Sequence, residues 1–402
     1  MQLAFCGSTA LYLTRAVRLG LAGPHDMTAR EPLRSPSPGS KRRRFTKKLL
    51  GSLRIDGILP LPLSRPLEVA VPRPSARLQG RCFVSTVYGG SLPQKSFTPL
   101  GDGLQVSCPE LLFVEMASVM PFFNLVLLGC ELCGTYARDP RDPIGGSAAF
   151  GVAPASSVQE LLAYARQCRS LPGAAKALDA LRYVMDNVWS PMEAIVAALA
   201  ALPPEHFGYG LGPVVLNDRV DTPDGASRAS RLPDMTLGGT TTGLNYDGEN
   251  HLDLSTVVDT AVQMTLNPGN GQSSERLDKS VNSVRAKYVD DRRRDRELMA
   301  SGYHIFVVTY EDLVERGGLD RVMLLAMDSM EHAGEVDLSM QRGALALAFL
   351  RRKRQELVWS ALPGELGRKT RRDMVAARRQ AREARCVYEC DVRLASSVEP
   401  GR

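Results

Sequence analysis

No stretch of this 402-residue chain approaches the roughly 20 uninterrupted apolar residues of a membrane span. Its first residues, MQLAFCGSTALYLTRAVRLGLAG, lack a basic leader, and Arg15 and Arg18 interrupt the apolar run, so no export signal is expected. Nor is there a repeat at a fixed period, which excludes a solenoid. The G-x-S-x-G elbow, the phosphate loop, the dinucleotide fingerprint and the His-Glu-x-x-His motif are all missing. Those absences leave hydrolase-elbow, nucleotide-triphosphatase and zinc-protease readings without residues to carry them.

What is present is enough apolar content, 44%, to bury a full core across two or more domains. The eight cysteines are irregularly spaced, which suits free thiols in a reducing cytoplasm. Cys130 and Cys133 have knuckle spacing, and Cys386 and Cys390 offer two more thiolates, but the first pair lies in an apolar helix. Buried thiols are the better reading than a zinc site. Charge is uneven: from Leu338 onward there are 15 Lys/Arg against 7 Asp/Glu, while the whole chain is only +6. Such a tail either neutralises phosphates with salt-sensitive affinity or stands as a solvated charged helix.

Composition divides the chain into a helix within 1–27, a basic Pro/Ser linker over 28–48 and a mixed α+β domain over 49–205. A domain over 206–330 and a basic helical tail over 331–402 follow. Ser8–Leu21 reads as a short amphipathic helix stopped by Gly23-Pro24, and Leu49–Ile58 as another. EVAVP, RCFVSTVYG, SFTPL and GLQVSCP read as strands bounded by Gly or Pro. Cys108 caps a helix opened by Pro109, and Phe122–Tyr136 is apolar on nearly every side. Ser157–Cys168, Ala174–Val188 and Pro191–Ala201 read as helices, the last with Ser190 and Glu193 as a capping box. After the central block Leu319–Met330 reads as a helix, and in the tail Met340–Trp359 and Arg368–Arg385 do so too.

The informative stretch runs from Asp234 to Leu313. Apolar and β-branched residues flank Gly238-Gly239, which predicts a hairpin; a helix and a strand follow. Asp234 then faces the same sheet edge as Asn245 and Asp247, which share a strand face. Two carboxylates and an amide oxygen suit one hard cation such as Mg²⁺ or Mn²⁺, which would supply hydroxide and neutralise charge on a phosphodiester. Each residue also has a plainer role: Asp234 and Asp247 as turn residues, Arg294 as part of an exposed arginine face, and Asp291 and Asp295 as its helical ion-pair partners.

These residues resemble the very short patch repair endonuclease-like subgroup of the PD-(D/E)XK restriction-endonuclease-like superfamily. That pattern has an Asp ending one strand, Glu-Tyr-Asp-Gly and a nearby His on the next, Asp-x-x-Arg on a helix and Gly-Tyr-x-Val on a strand. Asp234 matches the first acid; Tyr246, Asp247, Gly248 and His251 match the second block; Asp291 and Arg294 match the helix. Leu298, Gly302, Tyr303 and Thr309 continue the order, over about a quarter of the chain. Asn245 stands where the pattern has Glu, which removes a formal charge, with Glu249 nearby as a substitute. A polar insertion, 254–287, separates His251 from Asp291. The preceding half is similar in organisation to type IV abortive-infection antitoxins, proteins of bacterial defence.

The expected architecture is α/β: a mixed N-terminal region, then a restriction-endonuclease-like core with a small mixed sheet flanked by helices, then the tail. The resemblance implies Mg²⁺-dependent hydrolysis of DNA. Asp234, Asn245 and Asp247 would hold the ion, and His251 and Arg294 would assist at the phosphate. A non-catalytic nucleic-acid-binding or antitoxin-like regulator is the alternative, favoured by Asn245.

Overall fold

In a computed structural model of the chain, the described residues are 3–21, 28–33, 65–217 (except 79, 91 and 102), 233–247, 292–332 and 336–397. Positions 262, 281, 282, 285, 286 and 289 are also described, and side chains are described as far as 382. The segments expected as a helix over 49–58 and as the insertion over 254–287 lie outside them, isolated positions apart.

The fold is mixed α/β. A five-stranded sheet comes first, built from β1 (Leu3–Phe5), β2 (Leu67–Val71), β3 (Phe83–Val87), β4 (Phe97–Gly101) and β5 (Leu104–Ser107), in the order β3-β2-β1-β5-β4. β1 pairs antiparallel with β2 and parallel with β5. Three residues are too few to show alternation, yet Leu3, Ala4 and Phe5 are all buried at the centre of this sheet. The 28–48 segment is not wholly a loose linker. Glu31 forms an antiparallel bridge to Phe97, and Arg30 pairs with Glu110 at 3.2 Å.

Helices α1 (Gly7–Arg18) and α2 (Pro109–Ala117) pack on this sheet, and α3 (Phe122–Cys133) packs in turn on α2. The sulfur of Cys108 accepts the Leu111 N–H at 3.4 Å, as the cap reading expects. α3 is apolar nearly all round and is accordingly buried from Leu125 to Cys133, including its one charge. That charge, Glu131, takes two hydrogen bonds from Arg15, at 2.8 and 2.6 Å. Cys130 and Cys133 are buried free thiols. A small ribbon, β6 (Tyr136–Ala137) with β7 (Ala149–Phe150), leads to α4 (Val158–Gln167) and α5 (Ala174–Ala180). A full capping box closes at Ser157 and Glu160.

α6 (Pro191–Ala201) precedes a second sheet of four strands: β8 (Val214–Leu216), β9 (Met235–Leu237), β10 (Thr242–Asp247) and β11 (His304–Thr309), in the order β11-β10-β9-β8. β8, β9 and β10 form an antiparallel meander, whereas β10 and β11 are parallel. Parallel neighbours need a crossover, and a helix over 292–300 lies between them in sequence. Gly238 and Gly239, at φ of 58° and 72°, make the β9–β10 turn in the left-handed region that glycine adopts without strain.

α7 (Tyr310–Val314), α8 (Gly318–His332), α9 (Ser339–Ala346), α10 (Ala348–Ala361) and α11 (Glu365–Ser397) complete the chain. The helix expected over 340–359 is two helices, because Leu347 takes an extended conformation between them. One contiguous core runs from Leu3 to Leu362, and Leu338, Leu345, Val358 and Leu362 of the basic segment belong to it. Arg354 fastens α10 to this body. Its buried guanidinium donates to Asp320 at 2.7 Å and to the carbonyls of Phe207 and Gly208 at 2.9 and 3.3 Å. It also lies 4.1 Å over the Tyr209 ring. No helix among the described residues is long and apolar enough to cross a membrane.

Candidate functional site

The hairpin register sets Leu244 opposite Met235, which brings Asn245 beside Asp234 just ahead of β9. The two residues are tied reciprocally. The Asp234 N–H donates to Asn245 Oδ1 at 2.9 Å, and the Tyr246 N–H donates to Asp234 Oδ2 at 2.9 Å. Arg294, from the crossover helix, enters between them. Its Nη2 donates to Asp234 Oδ1 at 2.6 Å and to Asn245 Oδ1 at 3.2 Å. A short charge-assisted bond of this kind to a side chain only 14% exposed is firmer than a surface ion pair. Thus three of the residues expected at the site, Asp234, Asn245 and Arg294, do come together.

Asp247 is two residues along β10 from Asn245, on the same strand face, and is exposed at the strand's end. His251, Gly248, Glu249 and Asp291 lie outside the described residues. Asp295 pairs with Arg292 at 3.5 Å, in keeping with its plainer role. Several residues that carry the resemblance have visible structural work. Leu298 is buried; Gly302, at φ 84°, ends the crossover helix; and Thr309 forms a capping box with Asp312 at the start of α7.

A second acid stands close by that sequence reasoning assigned to another task. Glu193, the third residue of α6, was expected to close a capping box on Ser190. Ser190 does accept the Glu193 N–H at 3.1 Å, but the Glu193 carboxylate turns to the Trp189 N–H at 3.1 Å and to Asn217 at 3.4 Å. Burial, and then the neighbouring charge of Asp234, push the Glu193 carboxyl up to about 7. Its distance from Asp234 in sequence, and a local cap that accounted for it, concealed this.

As they stand, the described donors do not fit a divalent ion. Both Asp234 oxygens and the Asn245 oxygen are committed to N–H donors, and Arg294 supplies the positive charge where an ion would be shared. Among the described residues, no three of His, Cys, Asp or Glu are grouped so as to hold a metal. What the arrangement can do is hold a guanidinium rigidly at the open ends of β9 and β10, flanked by exposed Arg292, Arg293 and Arg296. Comparison with protein-family models, with curated proteins and with solved structures finds no match to the chain.

Proposed function

We propose that the chain is a nucleic-acid-binding protein of restriction-endonuclease-like organisation, in which an arginine clamp stands where the chemistry would be. The observation that carries this reading is the Arg294 guanidinium bound to both Asp234 and Asn245. A single positive charge there satisfies Asp234 without demanding the second carboxylate that Asn245 has lost. The order strand, strand, helix, strand over β9, β10, 292–300 and β11 supports the resemblance. The ligand class, DNA, is supported by exposed cations: Arg292, Arg293 and Arg296 beside the clamp, and Lys369, Arg378 and Arg382 on α11. Engaging about five phosphates gives an affinity that falls roughly 500-fold between 50 and 200 mM salt.

The experiment is retention and nicking of a supercoiled plasmid with Mg²⁺ or Mn²⁺, beside Asp234→Ala and Asn245→Glu. The expected result is salt-sensitive retention by the unaltered protein without nicking. Nicking by the unaltered protein that Asp234→Ala abolishes would overturn it.

One observation favours the second reading, a Mg²⁺- or Mn²⁺-dependent DNA endonuclease: the Glu193 carboxyl lies close enough to Asp234 for their charges to oppose each other. In that case Arg294 would have to leave Asp234 and Asn245 for the phosphate, where His251 would join it, before Asp234, Asn245 and Asp247 could hold the ion. Nicking that appears only in Asn245→Glu points to an ancestral form of this site.

A further inference from the structure

The helices α1 and α3, the 138–144 loop and the junction of α10 with α11 line a half-open pocket of about 150 Å³. Its polar lining is Arg15, Asn124, Glu131, Arg138, Ser360 and Arg371, which is three guanidiniums against one carboxylate.

That carboxylate is already used. Glu131 accepts both Arg15 bonds and, at 3.0 Å, the Arg138 N–H. Burial works against its charge, yet Arg15 and Arg138 outweigh burial and hold the carboxyl below its ordinary value. The nearby Asp139 carboxylate accepts the N–H groups of Arg141 and Asp142, and Asp142 pairs with Arg368 at 2.7 Å. Among the described residues the Arg138 guanidinium donates only to carbonyls, those of Pro143 and Ala361, at 3.1 to 3.4 Å. Arg371 has no hydrogen bond or ion pair among the described residues, though it is largely out of solvent. Burial, and then the like charges of Arg138 and Arg15, pull its pKa below the ordinary value. Within the same electrostatic cluster, the Tyr136 hydroxyl is fully buried and also without a partner among the described residues.

Glu131 balances Arg15, but the half-buried Arg138 and Arg371 face the same pocket with no carboxylate of their own among the described residues, so a small anion is the missing member of this group. Guanidinium forks match phosphoryl oxygens in shape as well as charge. The volume equals about five waters, enough for a tetrahedral oxyanion, while pockets for larger ligands begin at about 300 Å³. We propose that this cavity binds a phosphate-sized oxyanion between Arg138 and Arg371, either free phosphate or a terminal phosphomonoester. The bound ion cancels the repulsion among the three arginines and pins the first turns of α11 to α1 and α3. The proposal is independent of the clamp at Arg294.

Isothermal titration of the full chain with inorganic phosphate, against chloride at equal ionic strength, tests it. Saturable 1:1 binding is expected, weakened at least tenfold in Arg371→Met and less in Arg371→Lys. With phosphate at 100 times its Kd the melting midpoint rises by about 3 °C, a shift that Arg371→Met loses. Without phosphate, Arg371→Met melts no lower than the unaltered chain, because a repulsive charge has been removed. A 5′-phosphorylated octadeoxynucleotide that outcompetes its 5′-hydroxyl form identifies a terminal monoester as the occupant, and failure of both to displace phosphate identifies the free ion. Absence of saturable phosphate binding, undiminished binding in Arg371→Met, or a lower midpoint of that variant in phosphate-free buffer overturns the proposal.

Discussion

Replacing Arg354 with Met tests whether the basic C-terminal segment is part of the body or merely lies on it. The substitution keeps most of the side-chain volume but removes three donors from a site where Arg354 is 2% exposed and Asp320 is 7% exposed. Removing one partner of a buried ion pair costs about 3–5 kcal/mol, mostly because the other charge is left behind. Here Asp320 is not abandoned. It keeps the Tyr209 hydroxyl at 2.7 Å and the half-exposed Arg351 at 3.2 Å. The carbonyls of Phe207 and Gly208 lose their donor, and that penalty adds to the charge term. The expected loss is therefore at the low end, about 3 kcal/mol, read as a lower urea midpoint at unchanged slope. Asp320→Asn in the same background should recover about 1–2 kcal/mol of the summed single costs, since the buried carboxylate that has lost its main ion-pair partner is then neutral. A loss below about 1 kcal/mol, or strict additivity of the two changes, would refute the buried-pair argument.

Two further outcomes follow from burial elsewhere. Glu115 receives the Gly7 N–H and the Tyr88 and Ser107 hydroxyls, each at 2.8 Å, yet burial outweighs them and pushes its carboxyl up to about 7. The folded chain then holds a proton that the unfolded chain releases, so stability falls as pH rises from about 4.5 to 7, by up to roughly 3 kcal/mol. Urea midpoints at pH 5 and 8 should differ less in Glu115→Gln than in the unaltered chain, and equal differences would contradict this. At Gly7, φ is +56° and an added Cβ would fall 1.8 Å from Glu68 Oε2, which also accepts the Ser8 N–H. Gly7→Ala should cost about 2 kcal/mol or more in the same assay, and a change within 0.5 kcal/mol would count against the strained helix start.

The hairpin was readable in the sequence because Gly238-Gly239 and the flanking residues encode it locally, and cross-strand proximity of Asp234 and Asn245 follows from that turn. Helix starts at Cys108, Ser157 and Ser190 were readable for the same reason, each cap being decided within four residues. The placement of β1 at the centre of the first sheet was not, since its neighbours β2 and β5 lie about 65 and 100 residues away in the chain. The sequence offers Arg294 as a phosphate contact or as part of an exposed arginine face, but its bond to Asn245 depends on how the crossover helix packs. Glu193 was hidden by a local explanation that was half right. The tail's apolar anchors, Leu338, Leu345, Val358 and Leu362, are too widely spaced among arginines to advertise a share in the core.

The way α11 leaves the body has a consequence for reach. Its start is moored by the Gly364 N–H on the Ile144 carbonyl at 2.8 Å and by Arg368 on Asp142. From that mooring a 33-residue helix extends about 50 Å, its first half lying along α10. Its excess of cations lies between Arg368 and Arg385, about 27 Å of axis, while beyond it Glu389 and Asp391 outnumber Arg393, so the reach of its positive charge is set by the stretch nearest the mooring and not by the full length of the helix.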